Sequence, residues 1–169
     1  MQKNIFILDA SAIIGGFYSK KESNFTTNEV ISEIKDLKST ILLESAIKRG
    51  FIEIKEPDVE SIEEVEATII SSGDNLRLSD TDKNIIALAL KYKKKGFKPI
   101  VVTDDYSIQN TSKNINIEYR SVLTEGIDDV INWVIKCKGC KKIYPSDYSF
   151  EDCEVCGSPV FKKKIKIKK

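Results

Sequence analysis

The residues of this 169-residue chain whose types and spacing can do chemistry are acids at the ends of apolar runs and four cysteines in two pairs. Ile5-Phe6-Ile7-Leu8 stops at Asp9, and Pro99-Ile100-Val101-Val102-Thr103 stops at Asp104 and Asp105. Runs this short do not make a buried helix and suit a strand covered on both faces. Open α/β sheets bind ligands outside the carboxyl ends of such strands. A further acid, Asp82, lies at the start of the most apolar helical stretch, 78–90. In a parallel sheet all these places lie at one edge, so carboxylates far apart in sequence can converge there. Crowded carboxylates repel unless a cation sits among them, and oxygen ligands with waters suit Mg²⁺ or Mn²⁺. A metal held that way activates water and stabilises charge on a phosphate during in-line attack, without a histidine. The chain has no histidine at all, which excludes Ser-His-Asp and Cys-His nucleophiles and every histidine metal site.

Each acid also has a plain structural reading. Asp9 and Asp104 or Asp105 can cap the helices that follow them, Asp82 stands three after Ser79 as in a capping box, and Glu29 and Glu33 can be a solvated helix face. It is their combination at strand and helix ends that favours a site.

The cysteines form Cys137-Lys-Gly-Cys140 and Cys153-Glu-Val-Cys156, separated by twelve residues. Each turn aims two thiolates at one point, and two such turns make the tetrahedral sulfur site that Zn²⁺ accepts. Four thiolates close the coordination sphere, so this zinc is expected to be structural, folding some thirty residues that lack a core of their own. Disulfides or a redox-active pair are the alternative, but neither pair stands in a βαβ context.

The elements that must position these groups follow from pattern. Asp9 leads into a short helix ending at Gly15-Gly16, and the polar stretch 18–24 reads as an exposed loop. Thr26-Thr27-Asn28 can cap a helix with Val30, Ile31, Ile34 and Leu37 on its apolar stripe and Glu29, Glu33 and Asp36 on it; Ser39-Thr40 can cap the next, up to Gly50. Phe51 to Ile54 suits a second strand, Asp58 or Ser61 opens a helix to Gly73, and 115–119 reads as an edge strand. Residues 126–136 fit either period, with a strand into the cysteines preferred, and 162–169, six lysines with two isoleucines, is expected to be frayed without a partner.

Composition agrees with one domain plus an appendage: 41% apolar and 31% charged residues mark a globular chain. No apolar run is long enough for a membrane span or a secretory signal, so a cytoplasmic protein is expected. The net charge of +1 is unevenly spread. Residues 137–169 hold nine lysines against four acids, leaving 18 basic against 22 acidic residues before them. An acidic body with a basic end points to nucleic acid as the partner of that end.

Taken in order, Ile7-Leu8-Asp9-Ala10-Ser11-Ala12, the stretch Thr27 to Asp36 with Glu33, Leu78-Ser-Asp-Thr-Asp82 with Ile86-Ala-Leu-Ala89, and Val102-Thr-Asp-Asp105-Tyr106 resemble the four acidic motifs of PIN-domain ribonucleases. Glu33-Ile-Lys-Asp36, Thr-Asp-Asp-Tyr followed by Gln109-Asn110, and the cysteine ribbon narrow the resemblance to the Nin-one-binding family of ribosome-maturation endonucleases. The resemblance implies an α/β fold: a PIN-like three-layer α/β/α nuclease domain with a central parallel sheet over 1–125, then a small zinc ribbon with its lead-in over 126–161 and a basic tail over 162–169. It implies a metal-dependent endoribonuclease that processes the 3′ end of small-subunit ribosomal RNA precursor, leaving a 3′-hydroxyl and a 5′-phosphate. Asp9, Glu33, Asp82 and Asp104 or Asp105 match the acidic positions, with Asp9, Asp82 and the 104–105 pair as Mg²⁺ or Mn²⁺ ligands. Glu29 and Asp80 are extra acids nearby. Ser11 and Asn110 are candidates to orient water or phosphate, and Lys162, Lys163, Lys164 and Lys166 to bind RNA. Expected partners are the precursor rRNA, the pre-ribosomal particle and assembly-factor proteins, with no membrane. The rivals are a PIN-type toxin ribonuclease, and a non-catalytic RNA- or ribosome-binding module in which the acids are caps.

Overall fold

A computed structural model of the chain describes residues 2–72, 78–123 and 130–167. Its centre is a five-stranded, wholly parallel sheet made of β1 (Asn4–Leu8), β2 (Ser23–Thr26), β3 (Glu53–Ile54), β4 (Lys98–Val102) and β5 (Glu118–Arg120), in the order β3-β2-β1-β4-β5. Helices α1 (Ala10–Ile14), α2 (Asn28–Glu33), α3 (Leu37–Lys48), α4 (Val59–Ser72), α5 (Asp80–Lys94) and α6 (Tyr106–Asn114) complete the α/β/α layers. The two apolar runs ending in acids are the neighbouring central strands β1 and β4, paired from Asn4↔Lys98 to Leu8↔Val102. Asp9 extends the ladder by one bond, its N–H donating to Val102 O at 3.1 Å. Both runs therefore deliver their acids to the same edge. Helix α5 carries six consecutive buried residues, Ile85 to Leu90, and Ser79 and Asp82 close its capping box reciprocally.

Three local expectations are corrected. Residues 18–24 do not form a simple loop: Ser23 begins β2, and Asn24, 2% exposed, replaces apolar burial with hydrogen bonds, donating to the carbonyls of Ser19, Glu22 and Phe51 and accepting from Ser19 N–H. A polar side chain whose partners come from distant segments leaves no periodic trace. The helix expected through Leu37 ends at Glu33, because Ile34 turns extended (ψ 104°) and Asp36 caps α3 by accepting Ser39 N–H at 2.8 Å. The edge strand expected at 115–119 starts at Glu118, since Ile115 still closes α6 and Asn116 takes a left-handed φ of 55°.

The C-terminal part forms a second, antiparallel sheet of β6 (Val130–Cys137), β7 (Ile143–Tyr144) and β8 (Val160–Ile167), in the order β7-β6-β8. The strand preferred for 126–136 is present from Val130; 126–129 lie outside the described residues. The expectation of a frayed tail from Lys162 is overturned. Val160 to Ile167 pairs with β6 residue for residue, so eight backbone positions gain ladder partners and Lys162, Lys163, Lys164 and Lys166 become strand residues. Residues 168 and 169 lie outside the described residues. The ribbon meets the body where Ser146 Oγ donates to Ile70 O (2.7 Å) and Asn114 of α6 donates to the side-chain oxygen of Asn132 (3.3 Å). Among the described residues no helix is long and apolar enough to cross a membrane.

Candidate active site and metal centres

Asp9 is the deepest of the acids, 7% exposed just beyond β1. Its Oδ2 accepts from Thr103 Oγ1 at 2.8 Å and from Ser11 Oγ at 3.1 Å. Those hydroxyls are themselves tied down: Ser11 Oγ accepts Asp104 N–H at 3.1 Å and Thr103 Oγ1 accepts Asp105 N–H at 3.0 Å. Behind them, Gln109 Nε2 donates to Thr103 O at 2.9 Å and to Ser121 Oγ at 3.1 Å. The carboxylate thus stands in a fixed cradle built from both central strand ends.

The acid pair after β4 divides its work. Asp105 caps α6, its Oδ1 accepting from Ser107 N–H (2.6 Å) and Ile108 N–H (3.2 Å), and its charge bears on both Asp9 and Asp82. Asp104 turns instead to the chain after β5, accepting from Val122 N–H and Leu123 N–H at 3.0 Å each. Asp82, at the start of α5, uses Oδ2 to accept Ser79 N–H at 2.8 Å.

Burial raises the Asp9 pKa above its ordinary value; the Thr103, Ala10 and Ser11 hydrogen bonds oppose that rise and the Asp105 charge adds to it. Asp82 is raised as well, by desolvation first, against its Ser79 hydrogen bonds, with Asp105 and Asp9 adding to the rise. Three acids from three segments therefore act on one another through their charges, although among the described residues the cysteines, and not these acids, form a group with all ligand atoms within 4.8 Å. The acid set offers only oxygen, the donor chemistry of Mg²⁺ and Mn²⁺. Glu33 is exposed in the last turn of α2 and Asn110 is buried on the second turn of α6. Glu29 and Asp80 are exposed.

The sulfurs are gathered more tightly. Among the described residues, Cys137, Cys140, Cys153 and Cys156 are the one group of potential ligands whose atoms all lie within 4.8 Å of one another. Cys137 Sγ lies 3.4 Å from Cys156 Sγ, and Cys140 Sγ 3.5 Å from Cys153 Sγ. A disulfide needs about 2.05 Å, whereas a sulfur tetrahedron with Zn–S near 2.3 Å has edges of about 3.8 Å. All four are free thiols, and the cluster suits a zinc site. The Ser158 hydroxyl and backbone, followed by Cys140 N–H and Cys137, pull Cys156 down to about 5, while the Tyr144 hydroxyl (3.0 Å) lowers Cys153. Lys142 N–H favours the Cys140 thiolate, yet desolvation and the neighbouring sulfurs push that thiol up to about 11. Thiols packed this closely do not all ionise until a cation joins them. Gly139 is fixed by the same packing: a Cβ there would lie 2.9 Å from Ser158 Cβ and 3.2 Å from Cys156 Sγ.

A family model described as the PIN domain of ribonuclease matches residues 6–92. Endoribonuclease Nob1 of Methanothermobacter thermautotrophicus is 47% identical over 158 residues, covering 94% of this chain and 92% of that protein. Endoribonuclease Nob1 of Methanocaldococcus jannaschii is 41% identical, covering 95% and 78%. The chain belongs to this PIN-domain endoribonuclease family. Ribonuclease VapC1 of Thermoplasma acidophilum is also similar, 36% identical over 92% of this chain and 76% of its own length.

Within this PIN-domain fold, Thr103 is the polar residue whose place the sequence reading left without a role. Wholly buried at the end of β4, it joins Asp9 to Asp105. The sequence signal was present in Val102-Thr103-Asp104-Asp105, where a hydroxyl ends an apolar strand beside acids. The RNA-binding candidates Lys162, Lys163 and Lys164 stand exposed on β8, and Lys166 follows in the same strand opposite Ile131.

Proposed function

We propose that this protein is a metal-dependent endoribonuclease that trims the precursor of small-subunit ribosomal RNA at its 3′ end, acting on the pre-ribosomal particle alongside assembly-factor proteins. The observation that supports the reading is the delivery of Asp9 and Asp105 to one sheet edge by the paired strands β1 and β4, with Asp82 within reach of both charges, in a chain that also carries a four-cysteine ribbon with a lysine-rich strand.

Asp9, Asp82 and Asp105 would hold Mg²⁺ or Mn²⁺, with Asp104 and Glu33 adding negative charge around them. Bound there, the ion would supply an activated water and charge stabilisation at the scissile phosphate. Thr103 and Ser11 fix the Asp9 carboxylate so that it need not reorganise during the reaction. Asp105 gives its Oδ1 to the N–H groups of Ser107 and Ile108, so its other oxygen would be the one offered to the ion. Water attack on phosphorus in line with the leaving 3′-oxygen would break the P–O3′ bond, the 3′-oxygen taking up a proton as the 3′-hydroxyl and the phosphoryl group staying on the other fragment as its 5′-phosphate. Zn²⁺ in the cysteine cluster would hold the ribbon in shape without a catalytic water, since four thiolates fill its coordination. Lys162, Lys163, Lys164 and Lys166 would grip backbone phosphates, which an acidic nuclease body needs, and binding would weaken steeply with salt.

The test is cleavage of a precursor 3′-end RNA in Mn²⁺ or Mg²⁺. Wild-type protein should cut at a defined 3′-end position, and Asp9→Asn should abolish cutting while RNA binding is nearly retained. Undiminished cutting by Asp9→Asn would overturn the site assignment.

A further inference from the structure

The ladder between β6 and β8 sorts their side chains onto two faces. Trp133 pairs with Lys164 and Ile135 with Lys162, so these four share one face; Asn132, Val134, Lys163 and Ile165 share the other. The second face is the one tied to the nuclease body, through Asn132 and Asn114. The first carries Trp133, half-buried, with Lys162 Nζ over its ring at 5.3 Å from the centroid. Lys162 and Lys164 are exposed two positions apart, about 6.7 Å along an extended strand, a distance comparable with the step between phosphates of a nucleic-acid strand.

Lysines on an edge strand have a general use, since they discourage pairing with another chain. That use explains charge on either face and does not explain an aromatic ring set among them. A ring between regularly spaced cations is the composition of a surface that stacks a base and tracks a backbone.

We propose that the Trp133, Lys162, Lys164 face of the ribbon is a base-stacking platform for single-stranded RNA. In the free protein Lys162 covers the indole; on binding, its flexible stem swings the ammonium to a phosphate and a base takes its place on the ring. The exchange runs in favour of RNA because base stacking on an aromatic outweighs an exposed cation–π contact. A duplex keeps its bases stacked on each other and gains only the lysine contacts. The platform rests on the ribonuclease reading for its ligand class, but it specifies a different surface and a preference for unpaired strands.

Trp133 is the chain's single tryptophan, so emission excited at the red edge of indole absorption, beyond that of the six tyrosines, reports on this ring alone. The experiment uses the full chain carrying Asp9→Asn and loaded with Zn²⁺, titrated with a single-stranded uridylate 12-mer, an abasic 12-mer of the same backbone and a 12-base-pair RNA duplex. Quenching is expected with the uridylate alone. By anisotropy of labelled uridylate, Trp133→Phe should bind nearly as wild type and Trp133→Leu about fivefold or more weakly, with zinc content unchanged. Lys162→Gln with Lys164→Gln should weaken all three ligands and flatten the salt dependence of single-strand binding by about 1.4 units of slope. Unchanged emission on RNA binding, or equal affinity for uridylate and abasic strand, overturns the platform. Cleavage by the wild-type chain is read separately, so that failure leaves the nuclease reading intact, and loss of cleavage with quenching retained does the reverse.

Discussion

Thr103 Oγ1 donates to Asp9 Oδ2 at 2.8 Å, joining residues 94 positions apart, and the same oxygen accepts Asp105 N–H at 3.0 Å. One buried hydroxyl thus sets the orientation of one acid and the backbone of another. Thr103→Val keeps the shape but removes both bonds, leaving Asp9 without its shortest donor and the part-buried Asp105 N–H without this acceptor. Cleavage and Mn²⁺ affinity should fall by about 10–100-fold, as for lost partners of metal ligands generally. Thr103→Ser should restore most of both. Mn²⁺ titration of the three proteins, paired with single-turnover cleavage, checks this; a Val variant with wild-type metal affinity would show that the hydroxyl only fills space.

The adjacent acids should separate in the same assays. Asp105 acts on Asp9 and Asp82, so Asp105→Asn should weaken metal binding and cleavage together. Asp104 holds the Val122 and Leu123 amides. Both donate to Oδ1, and Leu123 N–H also meets Oδ2 at 3.1 Å; Asp104→Asn removes the charge that strengthens these bonds and replaces Oδ2 with a donor, so the expected loss is in thermal stability and in protection of the chain after β5, with the smaller loss of metal affinity. Amide exchange at Val122 and Leu123 distinguishes the two variants: it should rise in Asp104→Asn and stay slow in Asp105→Asn.

The gathering of these acids at strand ends is legible in the sequence for a physical reason. A strand covered on both faces must be apolar throughout, so the place where it ends in an acid is visible in one dimension, as at Asp9, Asp104 and Asp105. The cysteine pairs are legible because ligand spacing within a turn is local. What was not legible depends on partners distant in sequence. Asn24 is buried only because Phe51 supplies a carbonyl, and 162–167 is a strand only because β6 offers eight positions to pair with. The division of roles between Asp104 and Asp105 was equally hidden, since it turns on where Val122 and Leu123 place their amides.

The raised pKa values of Asp9 and Asp82 carry a prediction about stability with the metal removed. Folding favours the protonated form of both acids, so their contribution is fully present below the unfolded value of 3.8 and is lost as pH rises through the folded values. At pH 7 without divalent ions, Asp9→Asn and Asp82→Asn should each melt above wild type, by about 2–4 °C for every 1 kcal/mol of relieved strain. The gap should shrink as pH is lowered toward 4. Mn²⁺ at pH 7 should raise the wild-type melting temperature and leave Asp9→Asn nearly unmoved. Melting curves over pH 4–8, with and without Mn²⁺, decide it; variants that melt below wild type throughout would mean the carboxylates stabilise the fold as caps.

The ribbon should respond to metal removal on its own terms. Its buried cluster consists of Cys137, Tyr144 and Cys153 with Ile135, Tyr148 and Val160 around them, too little apolar surface to hold the sheet without an ion. A strong chelator should release one Zn²⁺ per chain and shift Trp133 emission, while the body, with its separate core from Ile5 to Ile117, keeps its own melting transition. Gly139→Ala should mimic chelation, because its methyl meets Ser158 and Cys156 at 2.9 and 3.2 Å and spreads the sulfurs. Zinc content measured against thiol titre reads this directly: about four newly reactive thiols per zinc lost supports the closed four-sulfur site, and retention of zinc in Gly139→Ala would show that the knuckle yields without opening.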